Sequence, residues 1–373
     1  MQFLVGIFQI FIYFLIGIFN YKIAKKYTGR VGADESLKQT ASRKVWMRIF
    51  FIALLWGFFS VWCGRKGYVS DRGNYAYRFD NGYDYYFQNN SLGLYWIVKL
   101  LHLFTYNSKY LFFFIALLYS ILINIAYYSY RDKSSLAVLY LSFSLLYAYS
   151  FYLLKQALAI PIIAIAVSFS LKRKYLFCYL LLAVSAIFHE SSMIMFPLAI
   201  ALIFVDRKPL IRLLVYLLLF ITLLFFRQIE GGLLSIVIRI VPSLATQARS
   251  YFSEENSFDG TNFLTMFKGL PYYIIFLYGL INRKELIKKI NNYHSFMLLS
   301  FFSSICSFLS GYMYWMWRFG TLCYVPVFVF GSLICKYSDR KQDTLIFLLS
   351  SLMSLFLISF RYLYQVLVEK GGF

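Results

Sequence analysis

The sequence predicts an all-α fold, a polytopic transmembrane bundle of about ten to twelve spans making one integral membrane domain over residues 1–373. Three observations predict it. Hydrophobic residues make up 61% of the chain and charged residues only 14%, with a mean hydropathy of +0.65, outside the norm for soluble globular proteins. Apolar runs close to bilayer-spanning length recur from one end to the other. Basic residues are also concentrated in particular loops. With the N-terminus outside, the short inner loops 22–48, 129–133, 172–174, 206–212, 283–292 and 336–342 hold 23 of the 37 Lys and Arg residues. Short loops are where basic residues set orientation. The net charge of +21 therefore reads first as a topology signal, and nucleic acid is not expected as a partner.

The expected spans, in order, are 3–21, 49–63, 109–128, 134–152, 155–171, 175–188, 191–205, 209–226, 267–282, 293–311, 319–335 and 343–360. The first has no basic stretch before it and no small-residue cleavage site, and Lys22, Lys25 and Lys26 follow it, so it reads as a retained span. The stretch 175–205 is short enough for two crossings to suggest a re-entrant segment. Cys63, Cys178, Cys306, Cys323 and Cys335 are scattered and form no C-x-x-C, which argues against a disulfide framework or a zinc site. Neither a G-x-x-x-x-G-K-[ST] nor a G-x-G-x-x-G occurs, so neither an ATP-driven pump nor a cytoplasmic nucleotide-sugar site is indicated. No metal and no cofactor is expected.

Two outer-face loops interrupt the spans, at about 64–108 and 227–266, and both are read as carrying interfacial helices. The first is rich in Tyr, Asp, Asn and Gly, as in Asp71-Arg72-Gly73-Asn74-Tyr75 and Asp80-Asn81-Gly82-Tyr83-Asp84-Tyr85-Tyr86. Aromatic faces beside carboxylates and amides suit sugars, and interfacial tyrosines also form membrane belts. Within 92–106, Tyr95, Lys99, His102 and Tyr106 make one polar stripe on an apolar helix, as expected along the interface. The second loop carries Arg227, Glu230, Arg239, Arg249, Glu254, Glu255 and Asp259, and reads either as a lid or as a solvated loop. A third outer stretch, Tyr312-Met313-Tyr314-Trp315-Met316-Trp317, leads to Arg318 at the start of the next span. Arginine keeps its charge and pairs well with phosphate.

Charged groups inside spans are costly and tend to carry function. Here they are Lys155-Gln156 and His189-Glu190, on either side of the basic turn Lys172-Arg173-Lys174. Lys155 lies 17 residues before that turn and His189 lies 15 after it. At helical rise each sits roughly 22–26 Å from the turn, so a hairpin folded there brings both to similar depth near the outer face.

The order of these features resembles the EpsG-type, Wzy-like family of bacterial polysaccharide polymerases. The resemblance is carried by Asp71 and Tyr75 in an outer loop, then by Lys155-Gln156-Ala157-Leu158-Ala159 opening a central span. The basic turn 172–174 follows, then Ala186-Ile187-Phe188-His189-Glu190-Ser191, with Pro197 just beyond. It is strongest over about 150–200 and departs at Lys155, where the family usually has arginine. Lysine keeps the charge and loses the planar fork.

The resemblance implies polymerisation of polyprenyl-diphosphate-linked oligosaccharide repeat units into O-antigen or capsular polysaccharide. The reaction would occur at the periplasmic face of the bacterial inner membrane, with a flippase and a chain-length regulator as pathway partners. Such a transfer needs a base, for which His189, Glu190 and Asp71 are candidates. It also needs positive charge on the departing diphosphate, for which Lys155, Arg318, Arg239 and Arg249 are candidates, with Gln156 beside them. Tyr75, Asn74 and Ser191 are candidate sugar contacts. The competing readings are a flippase or proton-coupled transporter, an O-antigen ligase, a membrane sugar acyltransferase, and a structural scaffold. Transporters commonly show two related halves, and no internal repeat is visible.

Overall fold

The computed structural model describes residues 35–64, 70–130, 153–207, 209–224, 266–311 and 316–337 and a few isolated positions. Among them the regular elements are all helical. The expected spans 3–21, 134–152 and 343–360 fall outside the described stretches, as does the body of the outer loop 227–266 with Arg239 and Arg249.

The helices are α1 (Glu35–Gly64), α2 (Ser70–Asp80), α3 (Asp84–Asn90), α4 (Leu92–His102), α5 (Ser108–Ser129), α6 (Leu154–Leu171) and α7 (Tyr175–Phe188). A 3-10 turn (Glu190–Ile194) leads into α8 (Met195–Val205) and α9 (Pro209–Leu224). Then come α10 (Leu270–Ile281), α11 (Arg283–Lys289), α12 (Tyr293–Leu309), α13 (Met316–Leu322) and α14 (Tyr324–Tyr337). Among the described residues α5 and α6 are long and apolar enough to cross a membrane, and α13 with α14 would be a third span bent by 56°. Several shorter apolar helices accompany them.

Helix α6 is the axis of the bundle. It is apolar nearly all round and buried nearly all round, packed against α5, α7, α8, α13 and α14. Small residues Ala157, Ala159, Ala164 and Ala166 let those neighbours approach closely. The outer helices show the reverse pattern. Leu176, Phe177, Leu180, Val184 and Ile187 of α7 are exposed, as are Leu210, Leu213, Leu214, Leu217 and Leu218 of α9. Apolar stripes at helical spacing with no protein cover are what a lipid-facing surface requires.

The basic loops 172–174, 206–212 and 283–292 and the start of 336–342 meet at one end of the bundle, as one-sided inner loops should. Asn292 (φ 59°) donates to Leu171 O at 3.2 Å, capping α6. Asp206 accepts from His294 N at 3.0 Å and from the Ser295 hydroxyl, capping the start of α12. Burial holds the Asp206 carboxyl above its ordinary range, against the pull of those hydrogen bonds and of Arg212. Lys289 reaches Tyr337 O at 3.2 Å, and the Lys172 ammonium bonds to Ser129 O at the end of α5.

At the other end α2, α3 and α4 form a knit unit. Tyr75, Phe79, Phe87, Leu94 and Val98 make a small core with Leu111, Phe112 and Ile115 of α5 and with Leu154 and Leu158 of α6. Arg72 donates to Ser60 O at 3.0 Å and lies 3.6 Å from the Phe112 ring centre, fastening α2 to α1 and α5. Asp80 caps α5 through Ser108 N at 2.6 Å. His102, expected on a polar stripe along the interface, is enclosed, with Nδ1 2.7 Å from Asp84 Oδ1 and Nε2 3.1 Å from Phe79 O. Two acceptors in reach offset the cost of burying the ring. Trp96 and Leu100 of α4 are exposed, as are Leu103 and Phe104 just after it, an apolar surface beside Lys99 that suits an interfacial helix.

Candidate active site

The start of α6, the end of α7, the 3-10 turn, α13 and the start of α4 converge at the end of the bundle away from the basic loops. The hairpin of α6 and α7 turns at Lys172–Lys174, with Arg173 at φ 60°. Its open end carries Lys155 on one arm and His189 on the other. The charges of Lys155 and Arg318 are both felt at His189, and that of Lys155 at Glu190. Lys155, His189, Glu190 and Arg318 are half-buried, and Gln156 is fully buried.

Local sequence explains the end of α7. Its backbone leaves the helix at His189 (φ −148°, ψ 117°), where Nδ1 accepts from Ser191 N at 3.2 Å and meets Ser191 Oγ at 2.5 Å. The imidazole therefore caps the 3-10 turn. A ring nitrogen accepting from a backbone N–H carries no proton, so the neutral ring holds its proton on Nε2. Ser191, expected beside a sugar, is held by His189.

Arg318 sits on α13, a half-helix that breaks from α14 at Cys323 with a bend of 56°. Neighbouring side chains bond to carbonyls beside the break, as a low-dielectric setting requires. Gln156 Nε2 donates to Arg318 O at 3.2 Å and to Thr321 Oγ1 at 2.7 Å, and Thr321 Oγ1 donates to Arg318 O at 2.8 Å. From α12, Ser303 Oγ donates to Gly320 O at 2.9 Å. A carbonyl can only accept, so the Gln156 amide nitrogen must face Arg318. Its amide oxygen is left buried with no hydrogen-bond partner among the described residues, a cost of about 1–3 kcal/mol.

Helix α4 abuts the same corner. Ser91 Oγ donates to Phe188 O at 2.8 Å while accepting from Leu94 N at 3.2 Å. A Cβ on Gly93 would lie 2.6 Å from the Phe188 ring, so the two helix ends meet in direct contact. Asn74 is exposed on α2, whereas Tyr75 is buried and stacked on Phe87 with ring centres 6.2 Å apart. Tyr77, Tyr83 and Tyr85, on α2, α3 and the turn between them, are exposed. Asp71 belongs to the first turn of α2, and its side chain lies outside the described residues. Among the described residues no group of three or more His, Cys, Asp or Glu side chains comes together.

The EpsG family profile matches residues 45–371, which includes every element of this corner. The chain belongs to the EpsG family. That is the family of Wzy-like polymerases of the polysaccharide pathway, and the apolar helices agree with a membrane protein. No curated protein and no solved structure matches the chain. Within this EpsG-family chain, Ser91, Gly93, Ser303 and Thr321 belong to the corner although nothing in their spacing marks them. Apart from the Thr321 bond to Arg318 three positions back, their contacts to it span 17 to 165 positions, beyond any helical or turn periodicity.

Proposed function

We propose that this chain polymerises polyprenyl-diphosphate-linked oligosaccharide repeat units at the periplasmic face of the bacterial inner membrane, as a bundle of about ten to twelve spans. The observation that carries this reading is the meeting of Lys155, Arg318, His189 and Glu190 at the outer end of an EpsG-family bundle. The acceptor hydroxyl attacks the anomeric carbon of the growing chain, and its proton passes to the Glu190 carboxylate. The bond from that carbon to the diphosphate oxygen breaks, and polyprenyl diphosphate leaves with the bonding pair. Lys155 and Arg318 stabilise the charge that gathers on the leaving oxygens. His189 donates from Nε2, because its Nδ1 is committed to Ser191. That assignment favours Glu190 over His189 as the base, with Asp71 the second candidate. Exposed Tyr77, Tyr83 and Tyr85 offer ring faces to the glycan in place of the buried Tyr75. Arg239 and Arg249 remain proposed diphosphate contacts on the second outer loop, and Asn74 a sugar contact.

A deletion strain tests the reading. Its surface polysaccharide should collapse from a ladder to a single repeat unit, with the ladder restored by wild type and not by Lys155→Ala. Loss of even the single unit would favour the flippase or ligase reading. An unchanged ladder would remove the polysaccharide reading.

A further inference from the structure

We propose that Gln156, acting with Thr321, is a positioning residue that fixes Arg318 at the depth of the departing diphosphate. The inference rests on the polymerase reading for its chemistry and on the broken helix for its geometry. Arg318 stands on seven residues of helix that end at a break. Such a short piece has too few internal hydrogen bonds to hold its own orientation. Its backbone is held from outside, by Gln156 at Arg318 O and by Ser303 at Gly320 O. Gly320 lets this happen, since a Cβ there would meet Ser303 O at 3.1 Å.

Gln156 is also the residue after Lys155, at the start of the central helix. One helical turn thus presents one cation directly and sets the place of the other through its neighbour's amide. With both amide hydrogens given to α13, Gln156 acts through Arg318 and does not itself donate to the phosphate. A direct ligand and a positioning residue differ in what their loss does. Removing a ligand weakens donor binding. Misplacing Arg318 by about 1 Å leaves the donor bound and lowers turnover by about 100-fold.

The test uses full-length protein in liposomes with lipid-linked repeat units purified from the source strain. Gln156→Ala and Thr321→Val should each cut kcat about 100-fold with KM for the donor within about threefold, and Thr321→Ser should keep the wild-type rate. Adding Gln156→Ala to Arg318→Ala should cause no further loss, since the residue it positions is gone. Losses that multiply in the double variant, or a rise in KM alone, would overturn the proposal.

A second arm does not depend on turnover. Arg318→Cys is labelled with a cationic methanethiosulfonate, as the excess over the unaltered chain, in which Cys178, Cys306 and Cys323 are buried. Gln156→Ala should change that labelling rate about tenfold, and an unchanged rate would contradict the positioning role. If wild type makes no polymer, the polymerase reading fails while this arm still decides the geometry.

Discussion

His189 has two tasks at once, and substitutions can separate them. Its Nδ1 caps the 3-10 turn through Ser191 N, and its Nε2 is left to donate. Asparagine can accept the same backbone hydrogen through Oδ1, and its shorter amide does not reach the position from which Nε2 donates. His189→Asn should therefore reach wild-type abundance in membranes by immunoblot yet yield no polysaccharide ladder. His189→Ala should lose the cap as well, at about 0.5–2 kcal/mol, and be less abundant. Lys155→Arg should retain activity, because the role argued for Lys155 is that of a charge, whereas Lys155→Gln should not. The pairing of Lys155 with His189 was legible from residue counts about the basic turn, because helical rise is constant. The task of Gln156 was not legible. Its partners lie 162 and 165 positions away, and only the break after Leu322 exposes carbonyls for it to bond. The burial of Tyr75 was not legible for a similar reason, since composition does not say which tyrosine of an amphipathic unit faces inward.

At the scale of elements, the contact of α4 with α7 couples the membrane-surface unit to the site. Gly93→Ala places a methyl group 2.6 Å from the Phe188 ring and should cost about 1–3 kcal/mol through overpacking. It should also depress polymer yield per molecule, read as ladder intensity normalised to protein in the membrane. Ser91→Ala removes both the α4 cap and the bond to Phe188 O, and should weaken the same junction. At the end of the bundle with the basic loops Asp206 gives a pH signature. Burial raises its carboxyl, so the folded chain holds that proton more tightly than the unfolded one. The stability it contributes is complete below the unfolded value and declines as pH rises through the folded one. Melts in detergent should show that decline in wild type relative to Asp206→Asn, and parallel pH profiles would contradict it. Helix α4 was legible as the amphipathic stretch 92–106, although the helix itself ends at His102. The burial of His102 was not, because its partners Asp84 and Phe79 O are supplied by other elements of the unit.

For the whole molecule, the helical class and the sidedness of the basic loops follow from hydropathy and charge, both carried by local sequence. The four inner loops that meet through Asn292, Asp206 and Lys289 were grouped by their Lys and Arg alone. Span boundaries were less legible. A buried apolar helix such as α6 and a lipid-facing one such as α9 are both dominated by apolar residues, and only packing tells them apart. The broken pair α13–α14 read as one span, 319–335, because hydropathy is blind to a bend that neighbouring side chains sustain.

The central claim, that Lys155, Arg318 and the His189 turn join lipid-linked repeat units, is tested most directly by reconstitution. Purified chain in liposomes is given lipid-linked repeat units alone, and polymer length and released polyprenyl diphosphate are measured together. The account predicts a ladder from wild type, one lipid diphosphate released for each linkage formed, and loss of both with Arg318→Ala. Polymer formed without that release, or a wild-type rate from Arg318→Ala, would contradict it.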